Sequence, residues 1–232
     1  MKKTFAVGNW KMNPVALKDA EKLFLAMESK ARGMTGVEIM VCPPFPFIAP
    51  LAKFAKKIVL AGQDCSWSAQ GAFTGEVSPY MLKSAGARAV LLGHSERKKY
   101  CKETRELVAQ KMSIALEAGL KVIVCAENPK ELAVTLRRQK GEYAGRVIAA
   151  YEPSYAISTR GGRSVSPGKI ARAVKDMRNI AGPGVPILYG GSVFAETAGE
   201  IMREGDADGF LVGAASLNAA EFLDIVAEAE MG

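Results

Sequence analysis

A glutamate directly after an apolar run is the first residue of this sequence that could do chemistry. Glu152 follows the run Val147–Tyr151 and precedes Pro153. The proline restricts Glu152 to an extended conformation and prevents a helix from starting at once. A fixed, partly desolvated carboxylate with a raised pKa is suited to remove a proton next to a carbonyl group. Taken alone, Glu152 has a plainer interpretation as a helix-entry or capping residue.

His94 is the only histidine of the chain. A single histidine is more often a structural residue than a catalyst. This one follows the apolar run Ala89–Leu92, where a helix is expected to begin within the next few residues. Because the positive end of a helix dipole disfavours imidazolium, His94 would be neutral there and could donate a hydrogen bond to a carbonyl oxygen.

Lys11 and Asn9 lie together after the first β-rich run, with Trp10 between them. Most lysines are solvated surface groups, and that interpretation is the plain one for Lys11 as well. Held close to a phosphate and to a developing enediolate, however, its ammonium group would stabilise negative charge as it forms.

Two glycine turns near the end of the chain could bind an anion. Gly190-Gly191 and Gly213 would let backbone N–H groups approach a phosphate, and the segment after Gly213 could open a short helix. Every loop needs glycines, so one such turn means little. Two of them after neighbouring strands favour a phosphate site at this corner, as is common in α/β barrels.

These residues have to be positioned by elements that alternate along the whole chain. Amphipathic segments, such as the one that carries Ala20, Leu23, Phe24 and Met27, separate short apolar runs that read as strands buried on both faces. An open doubly wound sheet fits this alternation, but eight units favour a single (β/α)8 TIM barrel over residues 1–232, with chemistry at the C-terminal strand ends. The predicted strands are Thr4–Val7, Glu38–Cys42, Val59–Gln63, Ala89–Leu92, Lys121–Val124, Val147–Tyr151, Pro186–Tyr189 and Gly209–Val212.

Composition excludes several classes of protein. With 49% hydrophobic and 24% charged residues, the chain is expected to be a soluble globular protein. Its apolar runs are too short to cross a membrane, and Gly8 and Lys11 interrupt any signal sequence, so a cytoplasmic location is expected. Four cysteines without a C-x-x-C pair and one histidine make a metal site a poor hypothesis.

The formal net charge of +7 suggests an anionic partner, either a nucleic acid or a phosphorylated small molecule. The basic residues are scattered singly or in pairs, and no basic run is interleaved with aromatic residues. We therefore expect no nucleic-acid interface, and a solvated basic surface accounts for most of the excess charge.

The stretch from Pro153 to Pro167 is long for a connection between a strand and the following helix. Long connections in compact domains tend to be functional. Its apolar tip at Ala156-Ile157 suits a lid that closes over a ligand.

Six motifs resemble those of the triosephosphate isomerase family, in the family's order and over nearly the whole chain. The resemblance implies a TIM barrel that interconverts dihydroxyacetone phosphate and D-glyceraldehyde 3-phosphate by proton transfer through an enediolate, without a cofactor. The motifs are N-W-K-M-N (Asn9–Asn13), G-A-F-T-G-E (Gly71–Glu76), L-G-H-S-E-R (Leu92–Arg97), A-Y-E-P (Ala150–Pro153), Y-G-G-S-V (Tyr189–Val193) and D-G-F-L-V-G-A-A-S-L (Asp208–Leu217).

The resemblance also implies a role for each matching residue. Glu152 is the base, and His94 is the electrophile at the substrate oxygens. The family is a standard example of a neutral catalytic histidine, so its lowered pKa belongs to what the resemblance implies. The implied supporting residues are Lys11 for positive charge, Asn9 for the substrate oxygens, and Ser95 and Glu96 for orientation. The implied phosphate ligands are Gly191, Ser192, Gly213 and Ala214, joined by Ser158 when the lid is shut.

The chain departs from the family pattern at three positions around the ligand. Ser158 stands in the lid where glycine is usual, Tyr155 replaces the tryptophan of the lid's N-terminal hinge, and Ala214 replaces the second of two glycines. Ser158 lacks glycine's freedom at positive φ. An active enzyme is still expected, and the lid is where its kinetics would differ from the family norm.

The segment Gln63–Glu76 resembles the loop by which one subunit of the family reaches its neighbour's site, with Thr74 near the partner's Lys11. A monomer would expose the apolar side chains of Trp67 and Phe73 to water, and an exposed apolar patch is typical of an interaction surface. A homodimer is expected, and a tetramer is left open.

Three other functions fit part of this pattern. Another enzyme acting on a phosphorylated sugar would explain the glycine turns but not Lys11, His94 and Glu152 together. A catalytically weak or inactive barrel could sense a phosphorylated metabolite. A basic nucleic-acid binder lacks a charged stripe and would show salt-dependent DNA binding.

Overall fold

Parallel strands pair in chain order and close into a barrel, with β8 hydrogen-bonded to β1. The computed structural model describes residues 4–137, 145–156 and 165–231. The predicted (β/α)8 barrel is confirmed. The strands are β1 (Thr4–Asn9), β2 (Val37–Cys42), β3 (Val59–Gly62), β4 (Ala89–Leu92), β5 (Lys121–Ala126), β6 (Val147–Tyr151), β7 (Ile187–Tyr189) and β8 (Gly209–Val212).

Helices surround the barrel and pack their apolar stripes on it. In α1 the buried residues include Ala20, Phe24 and Met27, which follow the predicted helical spacing. Short polar side chains begin other helices: the Ser78 hydroxyl accepts from the N–H of Met81, and Thr104 caps α5 in the same way. The helices are α1 (Leu17–Ala31), α2 (Phe45–Ala52), α3 (Pro79–Ser84), α4 (Ser95–Tyr100), α5 (Arg105–Glu117), α6 (Pro129–Arg137), α7 (Pro167–Ala181), α8 (Ala195–Gly205) and α9 (Ala219–Met231).

The barrel interior decides which residues reach its mouth. Phe5 and Val7 of β1, and Ile148 and Ala150 of β6, belong to the apolar cluster inside the barrel. Side chains two residues apart in a strand share a face. The next inward positions are therefore Asn9 and Glu152, at the C-terminal ends of the two strands.

A charged pair lies among the inward positions at the opposite end of the barrel. Lys121 and Glu38 precede Ile123 and Met40 by two residues in β5 and β2, and their Nζ and Oε1 atoms are 2.6 Å apart. The apolar interior thus lies between this ion pair and the polar residues of the mouth.

Some predicted boundaries change. β1 continues to Asn9, so Asn9 is the last strand residue and not part of a loop. β7 begins at Ile187 rather than Pro186, because proline has no N–H to donate to a ladder. Between β5 and β6 lies α6, and residues 138–144 are outside the described residues.

Within the described part of the chain, no helix has both the length and the apolar character needed to span a membrane.

Candidate active site

One cleft at the C-terminal ends of the strands brings together side chains that are far apart in the sequence. The ends of β1, β4, β6, β7 and β8 all contribute to it, as expected for a barrel of this type. Its lining residues are Asn9, Lys11, His94, Glu152, Gly190, Gly191, Leu211 and Gly213.

His94 occupies the turn between β4 and α4. Gly93 has φ +69°, a conformation that favours glycine, and it turns the chain so that His94 becomes the N-cap of α4. The Nδ1 atom of His94 accepts a hydrogen bond from the N–H of Glu96 at 3.2 Å. An accepting Nδ1 carries no proton, so the neutral imidazole bears its proton on Nε2.

The Nε2 atom of His94 lies 3.2 Å from Oε1 of Glu152. Glu152 is only 3% exposed, and its Oε2 accepts from the N–H of Ser95 at 3.4 Å. Gly190 leaves room for this carboxylate, since a methyl group on Gly190 would lie 2.8 Å from Cγ of Glu152. Strand β6 thus holds a buried carboxylate against the start of α4.

The contact between the two side chains reverses the expected pKa shifts. Burial lowers the pKa of His94, but the charge of Glu152 and a hydrogen bond to it outweigh burial, and the pKa lies above its usual value. Burial likewise raises the pKa of Glu152, but the charge of His94 and the same hydrogen bond bring it below its usual value. The expected raised pKa of Glu152 and lowered pKa of His94 are wrong for the unliganded protein, because neither expectation included this pair.

Lys11 has a left-handed backbone with φ +55°. Its N–H donates to Oδ1 of Asn9 at 3.0 Å, and its Nζ lies 2.7 Å from Oε1 of Glu96. Its carbonyl accepts from Nε2 of Gln63 at 2.6 Å. The sequence predicts Gln63 as the end of a strand and the start of an interface loop, whereas the strand ends at Gly62, and no sequence signal points to this contact.

The glycine corner is formed by Gly190–Ser192 after β7 and Gly213–Ala214 after β8. Some of its hydrogen-bond donors already bind other groups of the protein. The N–H and the hydroxyl of Ser192 both donate to the carbonyl of Ala156, each at 2.9 Å. Gly191 is also required by packing, since a methyl group on it would collide with the hydroxyl of Tyr189. Gly213 and Ala214 lie at the start of a 3₁₀ turn over Ala214–Leu217.

Several predicted residues lie around the cleft rather than in its lining. The Ser95 hydroxyl is buried and has no hydrogen-bond partner among the described residues. Tyr155 is exposed. Ser158 and the rest of residues 157–164 of the predicted lid lie outside the described residues.

The predicted interface loop exposes apolar groups. Trp67 and Phe73 are 41% and 42% exposed, and their rings meet edge to face with centroids 5.5 Å apart. Thr74 is also exposed.

The four cysteines are free thiols, and three of them are buried. In the described ranges, no cluster of three or more His, Cys, Asp or Glu side chains could hold a metal ion.

Comparison with known proteins matches the whole architecture to one family. The model of the triosephosphate isomerase family matches residues 4–229. The chain is 37% identical to triosephosphate isomerase of Coprinopsis cinerea, over 96% of each chain. It is 38% identical to triosephosphate isomerase of Alkaliphilus oremlandii, over 97% of this chain and 99% of the relative. Triosephosphate isomerase of Dehalococcoides mccartyi is also 38% identical, over 99% of this chain and 97% of the relative.

Proposed function

The chain belongs to the triosephosphate isomerase family, and from that premise we propose how the residues of its cleft divide the reaction. The protein is an isomerase that interconverts dihydroxyacetone phosphate and D-glyceraldehyde 3-phosphate. The single observation that carries the residue roles is the contact between Glu152 and His94 inside the cleft.

Glu152 is the base that moves the proton between the two carbons. Its carboxylate takes a proton from the carbon next to the substrate carbonyl, and the electron pair of the broken C–H bond forms an enediolate. The resulting carboxylic acid returns the proton to the neighbouring carbon. Burial at 3% exposure supports this role, because a desolvated carboxylate loses little solvation when it accepts a proton.

His94 serves the substrate oxygens. Its Nδ1 accepts the N–H of Glu96, so Nε2 carries the proton that His94 can donate to a ligand in the cleft. In the unliganded protein that proton faces Glu152. Substrate binding would exchange this partner for a carbonyl oxygen, which leaves Glu152 free to act as a base and polarises the carbonyl.

Lys11 neutralises negative charge on the phosphate and the enediolate. Its ammonium group is held by Glu96 at 2.7 Å and is partly exposed, so it remains accessible to an anion. Asn9 supports it by accepting the N–H of Lys11 and helps hold the substrate oxygens.

The phosphate would bind to the backbone N–H groups of Gly191, Gly213 and Ala214, together with Ser192. Ser192 already donates twice to Ala156, the last described residue before the lid. A phosphate that recruits Ser192 would weaken those contacts. Phosphate binding and movement of the lid segment would therefore be coupled, and Ser158, outside the described residues, is proposed to join the phosphate in the closed lid.

We also propose that two copies of the chain form a homodimer. Met12 and Val15, in the loop after β1, are 89% and 93% exposed. A cleft beside Met12 is lined by Lys11, Met12 and Cys101 among others. The partner's Thr74 loop would fill this cleft, and Trp67 and Phe73 would be covered by the same contact.

The dimer is tested by light scattering over a range of concentrations. The wild type should have twice the mass of one chain, and Thr74→Arg should lower the mass to one chain because the bulky charge cannot enter the cleft. A wild type that stays monomeric would rule the dimer out, and four times the chain mass would point to a tetramer.

A cytoplasmic location and a single domain over residues 1–232 are proposed as well.

The reaction roles are tested by coupled isomerisation of D-glyceraldehyde 3-phosphate with wild type, Glu152→Gln and Glu204→Gln. Removing a catalytic base should lower kcat by about 10²–10⁴-fold. Glu204 is exposed on α8, so the same chemical change there should leave kcat unaltered. Full activity in Glu152→Gln would disprove its role as the base. A wild type without turnover that still binds a phosphate-bearing enediolate mimic would revive the metabolite-sensor alternative, which has no support from the comparisons.

A further inference from the structure

Gln63 follows β3 and ties two neighbouring strand ends together. Its Nε2 donates to the carbonyl of Lys11 at 2.6 Å and to the carbonyl of Cys42, the last residue of β2, at 2.8 Å. A side-chain amide nitrogen carries two hydrogens, and both are used here. Gln63 itself is not among the residues that line the catalytic cleft.

The partner of this clamp is a strained residue. Lys11 has φ +55°, a left-handed conformation that costs a residue with a Cβ about 1–2 kcal/mol. Such a conformation persists only where neighbouring groups fix it. For Lys11 the neighbours are Asn9, which accepts the N–H, and Gln63, which binds the carbonyl.

The backbone conformation of Lys11 decides where its ammonium group lies. Nζ reaches Glu96 at 2.7 Å, and it lies beside Gly213, where an added Cβ would be 3.9 Å from it. If the peptide after Lys11 rotated to the right-handed region, the side chain would leave the backbone in another direction. The amide of Gln63 opposes that rotation because it holds the carbonyl oxygen of Lys11 against a fixed strand end.

We propose that Gln63 is a positioning residue for the isomerase reaction, acting through Lys11. It keeps the ammonium group at the place where negative charge develops on the substrate. The inference rests on the role proposed above for Lys11. Its chemical requirement is specific: a side chain of this length with two N–H groups on one nitrogen.

Gln63→Met tests the inference, because methionine has a similar length and no donor. A small misplacement of a catalytic group can cost about 10²-fold, so kcat/KM should fall by about 10–100-fold. In the background of Lys11→Met, Gln63→Met should cause no further loss. Two residues that act through one group are non-additive, whereas independent structural effects add.

Glu28 provides a matched control at the other end of β3. It is buried and also clamps two backbone groups, since its carboxylate accepts from the N–H groups of Lys57 at 2.7 Å and Ile58 at 3.0 Å. Glu28→Gln should lower Tm while kcat/KM of the folded enzyme stays at the wild-type value. Light scattering on each variant shows whether the assembly is unchanged, because Gln63 also begins the loop with Thr74.

The outcomes distinguish a failure of the role proposed for Gln63 from a failure of the role proposed for Lys11. A Gln63→Met variant that behaves like Glu28→Gln, with lower Tm and full kcat/KM, would overturn the positioning role. So would a Gln63→Met, Lys11→Met double variant that is a further 10–100-fold slower than Lys11→Met. If Lys11→Met alone keeps full activity, the proposed role of Lys11 fails. Should Gln63→Met not fold, Gln63→Asn, whose amide is one methylene too short, takes its place in the same cycle.

Discussion

His94 Nε2 and Glu152 Oε1 lie 3.2 Å apart in the unliganded protein. The only histidine of the chain is therefore in contact with the proposed base before substrate arrives. The two groups come from the ends of β4 and β6, which are not neighbours in the barrel. Each stabilises the charged form of the other, in opposition to the burial of both.

The first prediction concerns the titration of His94. In the wild type its pKa should lie above 6.5, because Glu152 and Glu96 outweigh burial. Glu152→Gln removes the negative charge that raises the pKa of His94 most, while His94 stays buried. The pKa of His94 should therefore fall. NMR of the imidazole follows this directly, since the protein has a single histidine. An unchanged pKa in the variant would contradict the pairing.

The second prediction is the pH dependence of stability. The raised pKa of His94 contributes stability that is present below its unfolded value of 6.5 and is lost as pH rises through the folded pKa. The lowered pKa of Glu152 contributes stability that is present above 4.5 and is lost as pH falls through its folded pKa. The pair should therefore stabilise most between pH 4.5 and 6.5.

Urea unfolding of wild type and Glu152→Gln at several pH values measures this contribution. The difference in free energy of unfolding between the two proteins should become smaller as pH rises from about 6 to 9. Glu204→Gln, on the exposed face of α8, should show a small difference that does not vary with pH. A difference that grows with rising pH would refute the assignment.

The third prediction concerns the glycine that turns the chain into His94. A Cβ on Gly93 would meet a left-handed backbone at φ +69° and contacts of 3.1 Å to Val108 and 3.3 Å to the carbonyl of Cys125. Gly93→Ala should lower the free energy of unfolding by about 1–3 kcal/mol, which is about 2–12 °C in Tm for a chain of this size. It should also lower kcat, because His94 is displaced.

Gly33→Ala is the matched control. A Cβ at Gly33 would meet no atom within 4 Å, so its free energy of unfolding should change by less than about 0.5 kcal/mol. Equal effects in calorimetry for the two variants would show that strain at Gly93 is not the cause.

The sequence predicts those features of the fold that depend only on neighbouring residues in the chain. The bounds of β4, β6 and β8 match the predicted runs, because a buried parallel strand is apolar over its whole length. The spacing of two residues also brings Glu152 to the barrel mouth. These features depend on the type and order of nearby residues only.

Contacts between separate strand ends are not predictable in this way. The pKa expectations for Glu152 and His94 failed because they treated each group alone. Ser192 was expected only at the phosphate, yet both of its donors bind Ala156. No sequence motif marks Gln63 as the residue that binds the carbonyl groups of Lys11 and Cys42. In each case the partner is decided by the closed barrel, which brings together residues 21 or more positions apart.

The fourth prediction concerns a buried charge cluster beneath α4. Nζ of Lys111 contacts Glu103 at 2.5 Å and Asp64 at 2.7 Å, and Nε of Arg97 contacts the same two carboxylates. Burial raises the pKa of Asp64 to about 6, although both cations oppose it. Lys111→Met leaves two buried carboxylates with Arg97 alone and should cost about 3–5 kcal/mol.

Lys22→Met tests whether loss of any lysine has this effect. Lys22 is exposed on α1, so the change should be within about 0.5 kcal/mol in urea unfolding. If Lys111→Met were as stable as Lys22→Met, the cluster would contribute no net stability.

The last prediction uses Cys101 to examine the proposed dimer. Burial raises the pKa of Cys42 and of Cys65 to about 12 and that of Cys125 well above its usual value, so these thiols should be inert in the folded protein. Cys101 is exposed and lines the cleft beside Met12 that the partner's loop would fill. Iodoacetamide should therefore modify Cys101 alone in dilute protein, as read by mass spectrometry, and Cys101→Ser should not react. Because the dimer covers this cleft, the rate at Cys101 should fall as protein concentration rises. A rate that is independent of concentration, in a sample that light scattering shows to dimerise, would mean that the two subunits meet elsewhere.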